Sequence, residues 1–279
     1  MLLERKLVEL NPIQQKMIKS GWGKDAYENS VVEKIVYLSD GLRINGYLAY
    51  PKEIKKKYPC IIWCRGGFSN AGNIHEFNAR GILGQLASWG YCVLASQYRG
   101  NAESEGEDEF GGSDLNDILN LIPLADEIEF ADNKNWGIEG WSRGGMMAYL
   151  ATTKIDVFKA AIIIGGLSDI NEEFRQNKFF HRLFKITTKK DVPNLLDEEI
   201  QKRSIIHQAN KISSHTNFLI MHGVNDNRVP VNQALEISKK LIENKINTKL
   251  VLFEKGDHFL KEHRKEVNDL RKNWFKKYL

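Results

Sequence analysis

The sequence predicts an α/β fold: an eight-stranded, mostly parallel sheet with helices on both faces and a short helical cap insertion. Three observations carry that expectation. Short β-branched runs alternate with longer stretches of helical periodicity along the 279 residues, the pattern of strands joined by crossover helices. Most of these runs are apolar nearly throughout, as strands covered on both faces have to be. The first two are separated by Asp40-Gly41, a two-residue hairpin signal that makes them antiparallel.

Residues 1–30 read as an N-terminal extension, whose first residues, MLLERKLVELNP, carry charges at every third or fourth position and are too interrupted for a signal peptide. Strands are expected at 31–39, 42–51, 60–66, 91–99, 135–141, 158–166, 217–224 and 248–256. Helices are expected near 78–89, 113–128, 142–154, 230–245 and 261–278, the last presenting Val267, Leu270, Trp274 and Phe275 on one face. The segment 168–212 breaks the rhythm. It is too long for a loop between strand and helix and holds an aromatic cluster, Phe174, Phe179, Phe180 and Phe184, so an inserted cap is expected there. Repeats, low-complexity tracts and Pro/Gly linkers are absent, which makes residues 1–279 a single domain.

Composition excludes several classes of function. An apolar content of 42% with 27% charged residues describes an ordinary globular chain, and the net charge of +4 is spread along helices and turns. No basic arm calls for nucleic acid or an anionic membrane. The longest apolar run, AAIIIGGL at 160–167, is strand-sized and cannot span a bilayer. Cys60, Cys64 and Cys92 fall in buried strands without histidine partners at ligand spacing, so the expectation is reduced thiols in a cytoplasm, no metal and no cofactor.

The chemistry centres on GWSRG at 140–144, a G-x-S-x-G. With 22 glycines and 14 serines, chance alone would produce this pattern about once in ten such chains, so context decides. Here the preceding NWGIEGW is strand-like and the following SRGGMMAYLATTK helical, which puts Ser142 on a sharp strand-to-helix turn. Glycines at 140 and 144 let strand and helix approach closely enough to expose the hydroxyl. A serine that merely caps a helix needs no such glycine pair. Ser142 is therefore the candidate nucleophile.

A serine hydroxyl is weakly nucleophilic at neutral pH and requires a base, itself oriented by a third group. In sheets of this kind functional loops follow the carboxyl ends of strands, in the chain order serine, acid, histidine. Of the seven histidines only His258 and His263 lie far enough along. His258 directly follows the last strand, whereas His263 falls in a charged helical run. For the acid, Asp226 lies in the turn after the seventh strand. Asp169, after the sixth, is the runner-up, and Asp257 is disfavoured because consecutive side chains diverge. The oxyanion donors expected are the amide of Arg143, at the start of the helix, and an amide of Gly67 or Phe68 in the loop CRGGFSN after the third strand. An acidic loop at 103–109 is a solvated loop or a holder of a substrate's amino terminus.

Seven blocks, SDGLRINGYLAYP (39–51), RGGF (65–68), YRGNAESEGEDEFGGSDLND (98–117), GWSRGGMMA (140–148), RSIIHQANKI (203–212), HGVNDNRVP (222–230) and GDHF (256–259), occur in one order through most of the chain. In them the sequence resembles the catalytic domain of the prolyl oligopeptidase family of serine peptidases, within the α/β-hydrolase fold. The resemblance implies Ser142, Asp226 and His258 as the triad and cleavage of small peptides through an acyl-enzyme. Many members carry a β-propeller ahead of the hydrolase domain; about 30 residues precede the first strand here, so that filter is expected to be missing. Where prolyl oligopeptidase itself offers a tyrosine hydroxyl to the oxyanion, this chain has Arg65, which implies either a substituted donor or a partner for the acidic loop. Arg65, Phe179 and Phe180 are the expected substrate contacts. A carboxylesterase acting on small esters is the alternative reading, and a catalytically silent binding protein on the same scaffold is the third.

Overall fold

The computed structural model describes residues 1–170 and 193–279. Its centre is a nine-stranded sheet, ordered β1-β2-β3-β5-β4-β6-β7-β8-β9. The strands are β1 (Leu2–Leu7), β2 (Ser30–Ser39), β3 (Leu42–Pro51), β4 (Tyr58–Cys64), β5 (Cys92–Ser96), β6 (Ala131–Trp141), β7 (Phe158–Ile164), β8 (Asn217–Gly223) and β9 (Thr248–Phe253). The hairpin at Asp40-Gly41 joins β2 and β3 in antiparallel register, and β3 runs antiparallel to β5. From β5 across to β9 every neighbouring pair is parallel. This is the α/β-hydrolase fold.

The ninth strand corrects the expected count of eight. β1 pairs antiparallel with β2 at the sheet's edge. Its residues Glu4, Arg5 and Lys6 are exposed, and Arg5 forms an ion pair with Glu33 of β2 at 2.6 Å. An edge strand that wears charges is protected from pairing with other chains, and the same charges hide it from an apolar-run criterion. The remainder of the expected N-terminal extension forms helices at Pro12–Trp22 and Lys24–Glu28. The first begins with a reciprocal cap: Asn11 Oδ1 accepts from the Gln14 amide and Gln14 Oε1 accepts from the Asn11 amide.

Crossover helices fall close to their expected places at Glu76–Ser88, Arg143–Thr152, Asn232–Glu243 and Arg264–Tyr278. The expected helix at 113–128 is instead broken into short turns, with helical pieces only at Asn116–Leu119 and Leu121–Leu124. Pro123 lacks the amide that a continuous helix would need there. Within the expected cap, a helix spans Pro193–Arg203; Phe174, Phe179, Phe180 and Phe184 lie outside the described residues.

Helices on each side divide the core in two. One face gathers Met146, Tyr149, Trp136 and Phe218 with Ile170, Ile200 and Ile205 of the segment after β7. The other gathers Trp63, Leu83, Leu86, Val267 and Phe275 beneath the helices Pro12–Trp22, Glu76–Ser88 and Arg264–Tyr278. Every residue of Arg143–Thr152 is buried, and each large apolar side chain on it contributes about 1.5–3 kcal/mol by leaving water. That anchoring fixes whatever stands at the helix's first turn. No helix among the described residues is long and apolar enough to cross a membrane.

Candidate active site

The carboxyl ends of the parallel strands point to one rim of the sheet, and the singled-out residues collect there. Ser142 occupies the single-residue turn between β6 and the helix Arg143–Thr152, with φ 57° and ψ −123°. A left-handed conformation at a non-glycine residue is strained, by about 1–3 kcal/mol, and persists only where the surroundings impose it. Here they do. A Cβ on Gly140 would stand 2.0 Å from the Gly144 carbonyl oxygen, and one on Gly144 2.0 Å from the Cys64 carbonyl oxygen. The Ser142 backbone is held on both sides, its amide donating to Ile164 O at 2.9 Å and its carbonyl accepting from the Gly145 amide at 2.9 Å. Its hydroxyl makes no capping hydrogen bond to the helix it precedes.

Asp226 and His258 lie in two loops stitched together by backbone. The Asn225 amide donates to Gly256 O at 2.9 Å and the Val224 amide to Phe253 O at 3.0 Å. His258 Nδ1 donates to Asp226 Oδ2 at 2.7 Å, and both side chains are buried. Asp226 Oδ1 accepts from the amides of Arg228 and Val229, each at 2.9 Å. Burial by itself would raise the Asp226 carboxyl, but hydrogen bonds from His222, His258 and those two amides outweigh it and hold the group far below the usual carboxylate range. The carboxylate is thus charged throughout the physiological range. Trp141 Nε1 donates to the His258 carbonyl at 3.0 Å, tying the histidine loop to the residue before Ser142.

Ser142 and His258 line one cavity of about 520 Å³, together with Gly66 and Gly67. No hydrogen bond joins the Ser142 hydroxyl to the His258 ring among the described residues; in unliganded enzymes such contacts are commonly long and tighten on substrate. Asp169 is not part of this group. It lies beyond β7, 3.7 Å from His207, and its amide donates to Gln233. His263 sits on the outer side, its ring bonded to the Glu254 carbonyl.

The glycine-rich loop after β4 is held from behind by two guanidiniums. Arg143 Nη1 donates to Gly67 O at 3.0 Å and Arg65 Nη1 to Gly66 O at 3.2 Å. In a trans peptide the N–H points opposite to the preceding C=O, so these bonds turn the amides of Phe68 and Gly67 away from the two arginines. Gly66 lies against the nucleophile candidate: a Cβ there would be 3.3 Å from Ser142 Cβ. Arg65 itself does not line the cavity. It is fully buried, with Nε donating to Gln97 O at 2.9 Å and its guanidinium over the Tyr98 ring, and it forms no ion pair with the acidic loop among the described residues. Burial and the neighbouring charge of Arg143 bring the Arg65 guanidinium down to about 10.

Arg143 does more than begin a helix. Its guanidinium is buried between the rings of Tyr98 and Phe110 and ion-paired with Asp108 at 2.5 Å and Asp114 at 2.6 Å. Burial would lower it, but these carboxylates raise it well above the ordinary arginine value. Conversely, burial would raise Asp108, and Arg143 brings it below the usual carboxylate range. No local motif signals this network, since the contacts that build it span 35 and 29 positions. His222 was also unforeseen. Its Nε2 donates to Val229 O at 2.8 Å and stands 3.4 Å from Asp226 Oδ2, and its buried Nδ1 has no hydrogen-bond partner among the described residues. The i, i+4 spacing of His222 and Asp226 was the available signal.

Comparison with known proteins follows the same lines. The model of the prolyl oligopeptidase family matches residues 79–279. The chain is 31% identical over 248 residues to the uncharacterized peptidase YtmA of Bacillus subtilis, covering 87% of this chain and 92% of that protein. It is 28% identical to the uncharacterized peptidase YuxL of the same organism, covering 90% of this chain but 39% of that protein. Uncomplexed acylaminoacyl peptidase of Pyrococcus horikoshii superposes with a TM-score of 0.76 at 25% identity, over 95% of this chain and 43% of that one. The chain therefore spans nearly all of one relative and about two fifths of the two longer ones.

Proposed function

The chain belongs to the prolyl oligopeptidase family and is a serine hydrolase; from that premise we propose that it cleaves small peptides through an acyl-enzyme, with Ser142, His258 and Asp226 as its triad. The observation that carries this reading is the 2.7 Å bond from His258 Nδ1 to Asp226 Oδ2, beside a cavity that His258 shares with Ser142. A charged Asp226 keeps the Nδ1 proton in place, which leaves Nε2 free to accept the Ser142 proton as Oγ attacks the substrate carbonyl. The tetrahedral oxyanion is taken up by the Arg143 amide and by the Gly67 or Phe68 amide. Collapse breaks the C–N bond, and the imidazolium returns its proton to the departing amine. Water, deprotonated by His258, then releases the acyl group and regenerates Ser142.

Arg143 and Arg65 support the oxyanion loop by fixing its carbonyls, not by touching substrate. The decisive experiment labels the protein with a fluorophosphonate and assays aminoacyl and prolyl anilides in parallel with short-chain aryl esters. Labelling at Ser142 with anilide turnover supports the peptidase. A large preference for esters would make the chain a carboxylesterase, and a folded protein whose Ser142 stays unlabelled would be a silent binding protein.

A further inference from the structure

Resting on the reading of Ser142 as the nucleophile, we infer that the cavity beside it is a leaving-group pocket for a peptide's C-terminal residue, one with a bulky apolar side chain and a free α-carboxylate. Three features of the cavity lead there. The first is its position. His258 must protonate the departing nitrogen, so the leaving group lies on the imidazole side. The cavity wall continues from His258 through Phe259, Leu260 and Lys261. Its lining includes Trp63 and Val267 of the core beneath the helix Arg264–Tyr278, on the other side of the sheet from the core of Ile170, Ile200 and Ile205.

The second feature is the wall. Trp22, Trp63, Trp141, Ile82 and Val267 line the interior, and Trp22 is fixed edge-on to Phe77 at 5.7 Å between ring centres. Three indoles around one volume favour an aromatic or large aliphatic side chain. At the inner end, Glu139 is neutralised by Arg271, whose Nε and Nη2 donate to its two oxygens at 3.0 and 2.7 Å. That end is closed by a satisfied pair and offers no net charge.

The third is the imbalance of charge. The lining holds four cations, Arg228, Lys261, Arg264 and Arg271, against the single carboxylate of Glu139. Arg271 is committed to that carboxylate. Of the others, Arg228 and Lys261 lie over the Phe259 ring at 4.8 and 5.3 Å, and Arg264 lies over Trp22 at 5.4 Å with one bond to Gly21 O. None of the three has a carboxylate within ion-pair distance among the described residues. Three cations without a carboxylate partner among the described residues, lining a cavity that also contains the nucleophile candidate, attract an anion and repel a substrate's amino terminus. The acidic loop 103–109 adds no carboxylate to this lining, and its Asp108 is ion-paired with Arg143.

The test uses N-acetyl-Xaa-phenylalanine, with Xaa a mixture of natural residues, offered as the free acid and as the C-terminal amide. The native protein should cleave the acid with a kcat/KM at least about tenfold above that of the amide, as one charge-assisted contact supplies. In the triple variant Arg228→Gln, Lys261→Gln and Arg264→Gln that ratio should fall close to one. The ratio is internal to each protein, so a general loss of activity cancels. Equal or faster cleavage of the amide by the native protein overturns the inference, as does a ratio that survives in the triple variant. Cleavage of neither compound by a protein whose Ser142 labels with fluorophosphonate also overturns it, whereas failure of Ser142 to label sinks the nucleophile reading beneath it.

Discussion

Asp226→Asn tests what the carboxylate does for His258, because it removes the charge and reverses one atom's hydrogen-bonding sense while keeping the side chain's volume. In the native loop Oδ1 accepts two amides at 2.9 Å and Oδ2 accepts the His258 Nδ1 proton at 2.7 Å. The amides are fixed donors, so the asparagine carbonyl must face them and its NH₂ must face the imidazole. An NH₂ only donates. His258 then adopts the tautomer with a bare Nδ1 and its proton on Nε2, the nitrogen that has to accept from Ser142. Loss of the correct tautomer costs about 10⁴ in kcat, or about 5.5 kcal/mol of barrier. The fold should survive, since volume and both amide bonds are kept, and a thermal melt checks that. Steady-state kcat on the best substrate at neutral pH is the assay. A folded Asp226→Asn protein that keeps a tenth of native kcat would refute the tautomer argument and with it the role given to Asp226.

Ser142→Ala should lose turnover by about 10⁴ or more and lose fluorophosphonate labelling, with little change in circular dichroism. Gly144→Ala puts a methyl group against the rigid carbonyl of Cys64; overpacking of that kind costs at least about 1–3 kcal/mol, read as a Tm lowered by about 2–4 °C per kcal/mol. Arg143→Met strands Asp108 and Asp114 as buried unpaired carboxylates and should destabilise by about 3–5 kcal/mol in urea titrations. Acid stability follows from Asp226 and Asp108, both held below the ordinary carboxylate value. Their contribution is complete above the unfolded pKa, about 4, and disappears as pH falls through the lower folded values. The stability gap between native and Asp226→Asn proteins should accordingly be widest near neutrality and close below pH 4; a gap independent of pH would count against it.

The parallel half of the sheet was legible because burial on both faces leaves no room for polar residues: CIIWC, YCVLA and FKAAIII can be little else. The edge was not. β1 presents Glu4, Arg5 and Lys6 to solvent, and the charges that keep an edge strand from aggregating erase the pattern by which strands are found. The ion pair of Arg5 with Glu33 identifies it only once the two strands lie side by side. The broken helix at 113–128 failed for a related reason, since periodicity reports which face is apolar and not whether hydrogen bonding is continuous through Pro123.

At the candidate site the division runs between backbone geometry and long-range charge. Ser142, Asp226 and His258 were readable as candidates because each stands in the turn or loop that follows a strand, where the chain must turn and glycines mark how tightly. What the arginines do was not readable. A buried guanidinium needs several acceptors at once, and the acceptors of Arg143 come from Gly67, Asp108 and Asp114, on separate loops. Nothing in GWSRG distinguishes a solvated arginine from one that locks two loops behind the nucleophile. The residue expected to meet substrate, Arg65, therefore turns inward, while Arg228, Lys261 and Arg264, which local sequence would leave as surface charges, ring the cavity that opens on Ser142. Where a charge ends up is decided by which carboxylates the fold brings within reach, and that is a property of the assembled rim, not of any one segment.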